Sequence, residues 1–301
     1  MENKMILVGD LNNPELSERL AKELDIKLIY PDKHVFPDGE MRIRILEEVV
    51  DQEIIVLKSH INPVDSSVME TCFIVDTLKR NGAGLVTGIT PYLGYMRADH
   101  MFRTGEGVPL EVVISMLENA GLAKAVLVDP HSIRIPELFH IPVINLSALS
   151  VFADRIKEMN MDPDSYTLVT PDLGGIRRIE ILSEMLGGAA YATIEKNRDL
   201  ETGNVEAAKI TGKIQKTCFV VDDMISSGGT IIKALEALEK QGAETNYVMA
   251  THAVFSDDAP KLLQDSHAKK VFVTDSMPIA KEKRFEKLEI LSIAKLLASS
   301  L

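Results

Sequence analysis

The stretch Cys218-Phe219-Val220-Val221-Asp222-Asp223-Met224-Ile225-Ser226-Ser227-Gly228-Gly229-Thr230 constrains this chain more than any other. A β-branched apolar run gives way to small residues, and Ile231 to Lys240 then repeats apolar residues at helical spacing, so the segment reads as strand, loop, helix. Two glycines and two serines let backbone amides approach an anion, and the helix that follows points its positive end at the same place. A phosphate fits this turn. The adjacent carboxylates Asp222 and Asp223, at the end of the strand, cannot favour a phosphate directly; they suit hydrogen bonds from sugar hydroxyls, or a cation. Together these parts suit a phosphorylated sugar. The loop lacks the Gly-Lys-Ser/Thr ending of a Walker A sequence and the Gly-x-Gly-x-x-Gly dinucleotide pattern. Taken alone, it also suits a plain tight connection between strand and helix.

The rest of the chain repeats the same order of parts. Met5 to Gly9 reads as a strand, and Leu16, Leu20 and Leu24 follow at helical spacing behind Pro14. Further strands are expected at Lys27–Tyr30, Met41–Ile45, Glu53–Leu57, Leu85–Thr90, Ala125–Val128, Thr167–Val169 and Ala192–Ile194, with a helix at Val68–Lys79. Such alternation predicts α/β architecture: mainly parallel sheets flanked by helices, with ligands at the carboxyl ends of the strands. Chemistry-bearing residues do cluster just after strands, as in Asp129-Pro130-His131, Pro171-Asp172-Leu173-Gly174-Gly175 and Glu195-Lys196-Asn197-Arg198. Leu78-Lys79-Arg80-Asn81-Gly82-Ala83 and Leu238-Glu239-Lys240-Gln241-Gly242-Ala243 close a helix in the same way in each half, a hint of internal duplication.

A length of 301 residues exceeds one ordinary core and suits two domains of about 150 each. Leu146 to Met159 reads as the helix joining them, which puts the domains at 1–145 and 146–301. The last 15 or so residues, a strand and an amphipathic helix, are able to pack back on either. No apolar run approaches the ~20 residues of a membrane span, and the opening Met1-Glu2-Asn3-Lys4 has no signal-peptide core, so a cytoplasmic protein is expected. Cys72 and Cys218 stand in apolar patterns and read as buried thiols. A formal net charge of −12 argues against general nucleic-acid binding, so any phosphate site has to be built locally from amides, a few cations and metal ions.

Phe36-Pro37-Asp38-Gly39-Glu40 is first of all a turn signal. An exposed Phe36 beside carboxylates would be unusual in a mere turn, and it suits an aromatic stacked on a base, with Asp38 and Glu40 accepting from an exocyclic amino group.

These motifs, together with Pro91-Tyr92-Leu93-Gly94-Tyr95-Met96-Arg97-Ala98-Asp99, occur in an order that resembles the ribose-phosphate diphosphokinase family over essentially the whole chain. The opening loop resembles the ribose-phosphate loop of the type I phosphoribosyltransferase fold. The resemblance implies two tandem domains of that type and transfer of the diphosphoryl group of ATP to the anomeric hydroxyl of ribose 5-phosphate, with no nucleic acid or membrane as partner. It places ATP on Phe36, Asp38, Gly39, Glu40, Arg97, Ala98 and Asp99, with the first of these loops reaching a neighbouring subunit's site in a homo-oligomer. Ribose 5-phosphate falls to Arg198, Asp222, Asp223, Ser226, Ser227, Gly228, Gly229 and Thr230, and Mg²⁺ to His131 and Asp172. Asp129, two along an extended chain from His131 and so on the same side, joins the metal set. Lys196 and Arg198 become the catalytic cations, neutralising charge as the bond between the α- and β-phosphates breaks.

This chain departs from the family's common form at Ala98, where Gln is usual, and at Ser226-Ser227, where Asp-Thr is frequent. Two other readings share the fold. A phosphoribosyltransferase that consumes the sugar diphosphate would not need the Phe36–Glu40 and Arg97–Asp99 elements, and a non-catalytic regulatory homologue would be expected to lose the Lys-x-Arg pair that this chain keeps.

Overall fold

The computed structural model describes residues 5–195 and 209–301. Those residues form two compact units: one holds the chain through Ser147 with Ser276–Pro278 and Ile293–Leu301, the other Ala148–Asp275 with Ile279–Ser292.

In the first unit the apolar runs become β1 (Met5–Val8), β2 (Lys27–Ile29), β5 (Glu53–Leu57), β6 (Val86–Thr90), β7 (Lys124–Val128) and β8 (Val143–Leu146). They form a parallel sheet in the order β2-β1-β5-β6-β7-β8. Parallel strands are covered on both faces, which explains why Leu7, Val8, Ile55, Val56, Val86 and Val126 are all buried rather than alternating. The covering helices include α1 (Pro14–Leu24), α2 (Val64–Arg80) and α3 (Pro109–Asn119). Helix α1 turns Leu16 and Leu20 inward and contacts the short terminal helix, Ala294–Ala298. A separate antiparallel hairpin, β3 (Asp32–Val35) with β4 (Met41–Arg44), lies between β2 and β5 in the chain.

The second unit contains α4 (Leu149–Glu158), β9 (Tyr166–Thr170), α5 (Ile176–Met185), β10 (Ala190–Glu195), β11 (Lys209–Gly212), β12 (Thr217–Ile225), α6 (Gly229–Lys240), β13 (Thr245–Ala253), α7 (Ala259–Asp265), β14 (Ala268–Thr274) and β15 (Leu288–Leu291). Its sheet runs β11-β10-β9-β12-β13-β14-β15, with only β11 antiparallel to its neighbour. Without β11 the order matches that of the first unit strand for strand. Tyr166, Phe219, Tyr247 and Phe272 meet across neighbouring strands, edge-on, stacked and tilted in turn, with ring centroids 5.3, 4.8 and 6.1 Å apart. Arg155 caps that column, its guanidinium 5.2 Å from the Phe272 ring and its Nε 2.7 Å from Glu289.

The structure corrects two boundaries. Leu146 ends strand β8 and the helix starts at Leu149, and the helix expected from Val68 starts at Val64, where Pro63 just outside it costs no backbone bond. Both cysteines are buried and free, as expected. Among the described residues no helix is long and apolar enough to cross a membrane.

Candidate functional site

In each sheet the chain reverses direction of growth between the first and third strands, and open α/β sheets bind ligands at that crevice. In the second unit these strands are β9 and β12. Strand β12 runs on to Ile225, three residues beyond Asp222, so the acidic pair lies inside a long strand rather than at its end. The loop follows at Ser226. Gly228 sits at φ +80°, a conformation that suits glycine, just before helix α6 begins at Gly229. Ser227 is exposed while Ser226 is half-buried. The helix thus opens with its N-terminus, the positive end of its dipole, beside the loop.

The loop has a second wall. Phe255 N donates to Ile225 O and Ser256 N to Ser226 O, at 3.0 and 3.1 Å, and the two serine hydroxyls lie 3.1 Å apart. Ser256 was not singled out in the sequence, because it follows a strand without any glycine signature to mark it.

Asp222 and Asp223 are nearly buried, and Asp223 N donates to Asp222 Oδ1 at 2.9 Å. Arg178 of α5 reaches both, its Nη1 3.5 Å from Asp222 Oδ1 and its Nη2 3.9 Å from Asp223 Oδ1. Burial, and then the charge of Asp223, push the Asp222 carboxyl up to about 8, against the opposing pull of Arg178. The charge of Asp172 adds to the rise. Crowding of buried carboxylates thus makes Asp222 hold a proton more readily than an ordinary aspartate does. Arg178 escaped the sequence reading, although two arginines in the first turn of a helix, where cations are disfavoured, were a signal that something anionic lies opposite.

Asp172 is exposed and caps the turn Leu173–Gly175, accepting from Gly175 N at 3.2 Å through one of its two oxygens. Asp129 and His131 belong to the first unit, Asp172 to the second. Asp129 has φ +39°, so the chain bends there and the same-side argument that linked it to His131 does not hold. Asp129 accepts from the Ser147 hydroxyl at 2.7 Å. His131 is exposed just after β7. Among the described residues no group of three or more His, Cys, Asp or Glu side chains is gathered as a metal cage. The oxygen donors fit a hard cation such as Mg²⁺, which takes one or two carboxylates and completes its octahedron with water and phosphate oxygens; an imidazole is a poorer match.

In the first unit Phe36–Glu40 forms the tip of the β3–β4 hairpin. Phe36 N donates to Glu40 O at 2.8 Å, Gly39 N to Phe36 O at 2.9 Å, and Glu40 N to Asp38 Oδ1 at 3.1 Å. The whole tip is exposed, and the Phe36 ring, 40% exposed, meets His34 edge-on at 4.6 Å. The turn signal and the exposed aromatic thus coexist. Arg97, exposed, and Ala98 and Asp99, partly buried, follow a tightly held turn. His60 Nδ1 accepts from Gly94 N at 3.1 Å, and Tyr95 donates its hydroxyl to Asp65. A Cβ at Gly94 would come within 2.8 Å of Val64 and 3.0 Å of His60, so this turn closes only around glycine. Asp99 Oδ1 lies 2.7 Å from His100 Nδ1. Lys196 and Arg198 lie outside the described residues.

Two parallel-sheet units of one strand order, the second with an acidic pair and an amide-lined loop at its crevice, define a protein of the tandem phosphoribosyltransferase-type class. The family model for the N-terminal domain of ribose phosphate pyrophosphokinase matches residues 5–121, and that of the phosphoribosyl synthetase-associated domain matches residues 203–301. The ribose-phosphate pyrophosphokinase of Bifidobacterium longum is 36% identical over 100% of this chain and 89% of its own length. That of Mycobacterium tuberculosis strain H37Rv is 36% identical over 100% and 92%. The crystal structure of phosphoribosylpyrophosphate synthetase from Mycobacterium smegmatis superposes with a TM-score of 0.90 at 36% identity, covering 98% of this chain and 96% of that one. The chain belongs to the ribose-phosphate pyrophosphokinase family.

Proposed function

We propose that this chain transfers the diphosphoryl group of ATP to the anomeric hydroxyl of ribose 5-phosphate, giving 5-phosphoribosyl 1-diphosphate and AMP for nucleotide biosynthesis. The observation that carries the reading is the placement of Asp222, Asp223 and the Ser226–Thr230 loop at the crevice of the second sheet, in a chain similar to this family end to end. In this reading the loop amides and the Ser226, Ser227 and Thr230 hydroxyls hold the 5-phosphate. Asp222 and Asp223 take the ribose hydroxyls and so orient the anomeric oxygen toward the β-phosphorus. The first unit supplies the ATP elements: Phe36 against adenine, Asp38 and Glu40 on its amino group, and Arg97 and Asp99 near the phosphates. Lys196 and Arg198 neutralise the charge that grows as the α–β bridge breaks, a gain made only in the transition state.

Asp129, His131 and Asp172 would hold Mg²⁺, which supplies charge neutralisation on the phosphoryl oxygens when bound. The reaction belongs to the cytoplasm, where the buried Cys72 and Cys218 stay reduced, and to a homo-oligomer whose adenine loop serves a neighbouring subunit.

The purified protein with Mg²⁺, ATP and ribose 5-phosphate is expected to release AMP in amounts equal to the sugar diphosphate formed. Release of ADP, or AMP formation only from adenine plus the sugar diphosphate, would replace this reading with a simple kinase or a phosphoribosyltransferase.

A further inference from the structure

The two sheets share register as well as strand order. Met5–Val8 face Glu53–Val56 in the first unit, and Tyr166–Val169 face Thr217–Val220 in the second. Two residues beyond the last matched pair, the second unit carries Asp222 and the first carries Lys58. The counterpart position thus has the opposite charge.

Lys58 is 1% exposed at the crevice between β1 and β5, with its Nζ 2.8 Å from Asp10 Oδ1 and 3.3 Å from Glu70 Oε1. Asp10 is equally buried and also accepts from the amides of Asn12 and Ser59, at 2.9 and 3.3 Å. Glu70 stands in the middle of α2, 3% exposed, and its other oxygen accepts from Lys33 Nζ at 2.8 Å. Two ammonium and two carboxylate groups make a neutral cluster, and each oxygen of Glu70 is committed to a different lysine. The place where the second unit carries an acidic pair faced by Arg178 is, in the first, taken by a lysine between two carboxylates.

The cluster ends on a functional element. Lys33 lies on β3, three residues before Phe36. The β3–β4 hairpin is separate from the six-stranded sheet, and an isolated two-stranded ribbon is marginal in water. Its ties to the unit include buried Ile43 on β4, which α2 contacts, and the Lys33–Glu70 bond. Ile43 fixes how deep the hairpin sits. The charged bond fixes one strand against α2 at a stated point, since a charge-assisted hydrogen bond is short and directional.

We propose that Glu70, held by Lys58, is a positioning residue for ATP: through Lys33 it sets the base of the hairpin and so the place of the Phe36–Glu40 turn. This rests on the reading that the turn holds adenine. Removing Lys58 or Asp10 would strand buried charge and cost folding, so the informative site is Lys33, whose side chain is 26% exposed.

The test compares Lys33→Met, Lys33→Arg and Phe36→Ala with the parent for thermal midpoint, kcat, and KM for each substrate. Lys33→Met is expected to raise KM for ATP about tenfold, equivalent to ~1.4 kcal/mol. Its KM for ribose 5-phosphate and its kcat should stay within about twofold, and Lys33→Arg should recover most of the loss. A lower thermal midpoint with KM for ATP unchanged, or an equal rise in both KM values, would reduce the cluster to fold stability and overturn the proposal. If Phe36→Ala raises KM for ATP and Lys33→Met does not, the anchor alone falls. If Phe36→Ala leaves it unchanged, the adenine reading falls and takes the anchor with it.

Discussion

At Asp222 the balance between burial and pairing decides the charge. Its carboxyl, pushed up to about 8, keeps a proton in the folded chain that the unfolded chain loses near 4. The folded state therefore binds more protons across that window, so this group's contribution falls as pH rises from 4 to 8. Between pH 6.5 and 8.5 the ligand-free protein is expected to lose thermal stability, and Asp222→Asn, which cannot ionise, to lose clearly less. Parallel curves for the two proteins over that range would show that Asp222 is already ionised. Two adjacent acids were plain in the sequence; that Arg178, 44 residues away, lies across from them was not, since only the fold of β9 and α5 delivers it.

The loop elements show the same division at the next scale. His60 is fully buried and its pKa is lowered to about 3, first by burial and then by the charge of Lys58. Its Nδ1 accepts from Gly94, so its Nε2 carries the proton and donates to Thr71 Oγ1 at 3.2 Å. Here the unfolded chain binds the extra proton between about 6.5 and 3, so stability is lost as pH falls through that window, by up to about 4 to 5 kcal/mol. His60→Gln is expected to be less stable than the parent at pH 7, and the gap should narrow as pH drops to 4. A gap that stays constant would mean that His60 titrates normally. Strands and phosphate loop were legible because β-branched runs and glycines are local signals. Strand β3 was not, because Asp32-Lys33-His34-Val35 is polar and becomes a strand only by pairing with β4. Helix α3 was likewise missed, although Pro109 opens it and Leu110, Val113, Ile114 and Leu117 give it a clear buried stripe.

For the whole molecule, a formal net charge of −12 sets a repulsive far field for ATP and ribose 5-phosphate alike. Salt shortens its reach from ~30 Å at 0.01 M to ~10 Å at 0.1 M. kcat/KM for ATP is therefore expected to rise up to about threefold over that range. A tenfold fall would show instead that a local basic field governs capture. The shared strand order could be suspected from one repeated helix ending, but the shared register could not, since it depends on which strands become neighbours. The path of the backbone has a consequence of its own. Each unit is assembled from separated stretches, because Ser276–Pro278 and Ile293–Leu301 return to the first unit while Ile279–Ser292 stays with the second. Neither unit is a contiguous length of gene, so no single cut, by protease or by cloning, parts the two: even a cut after Ser147 leaves Ser276–Pro278 and Ile293–Leu301 of the first unit on the piece that carries the second.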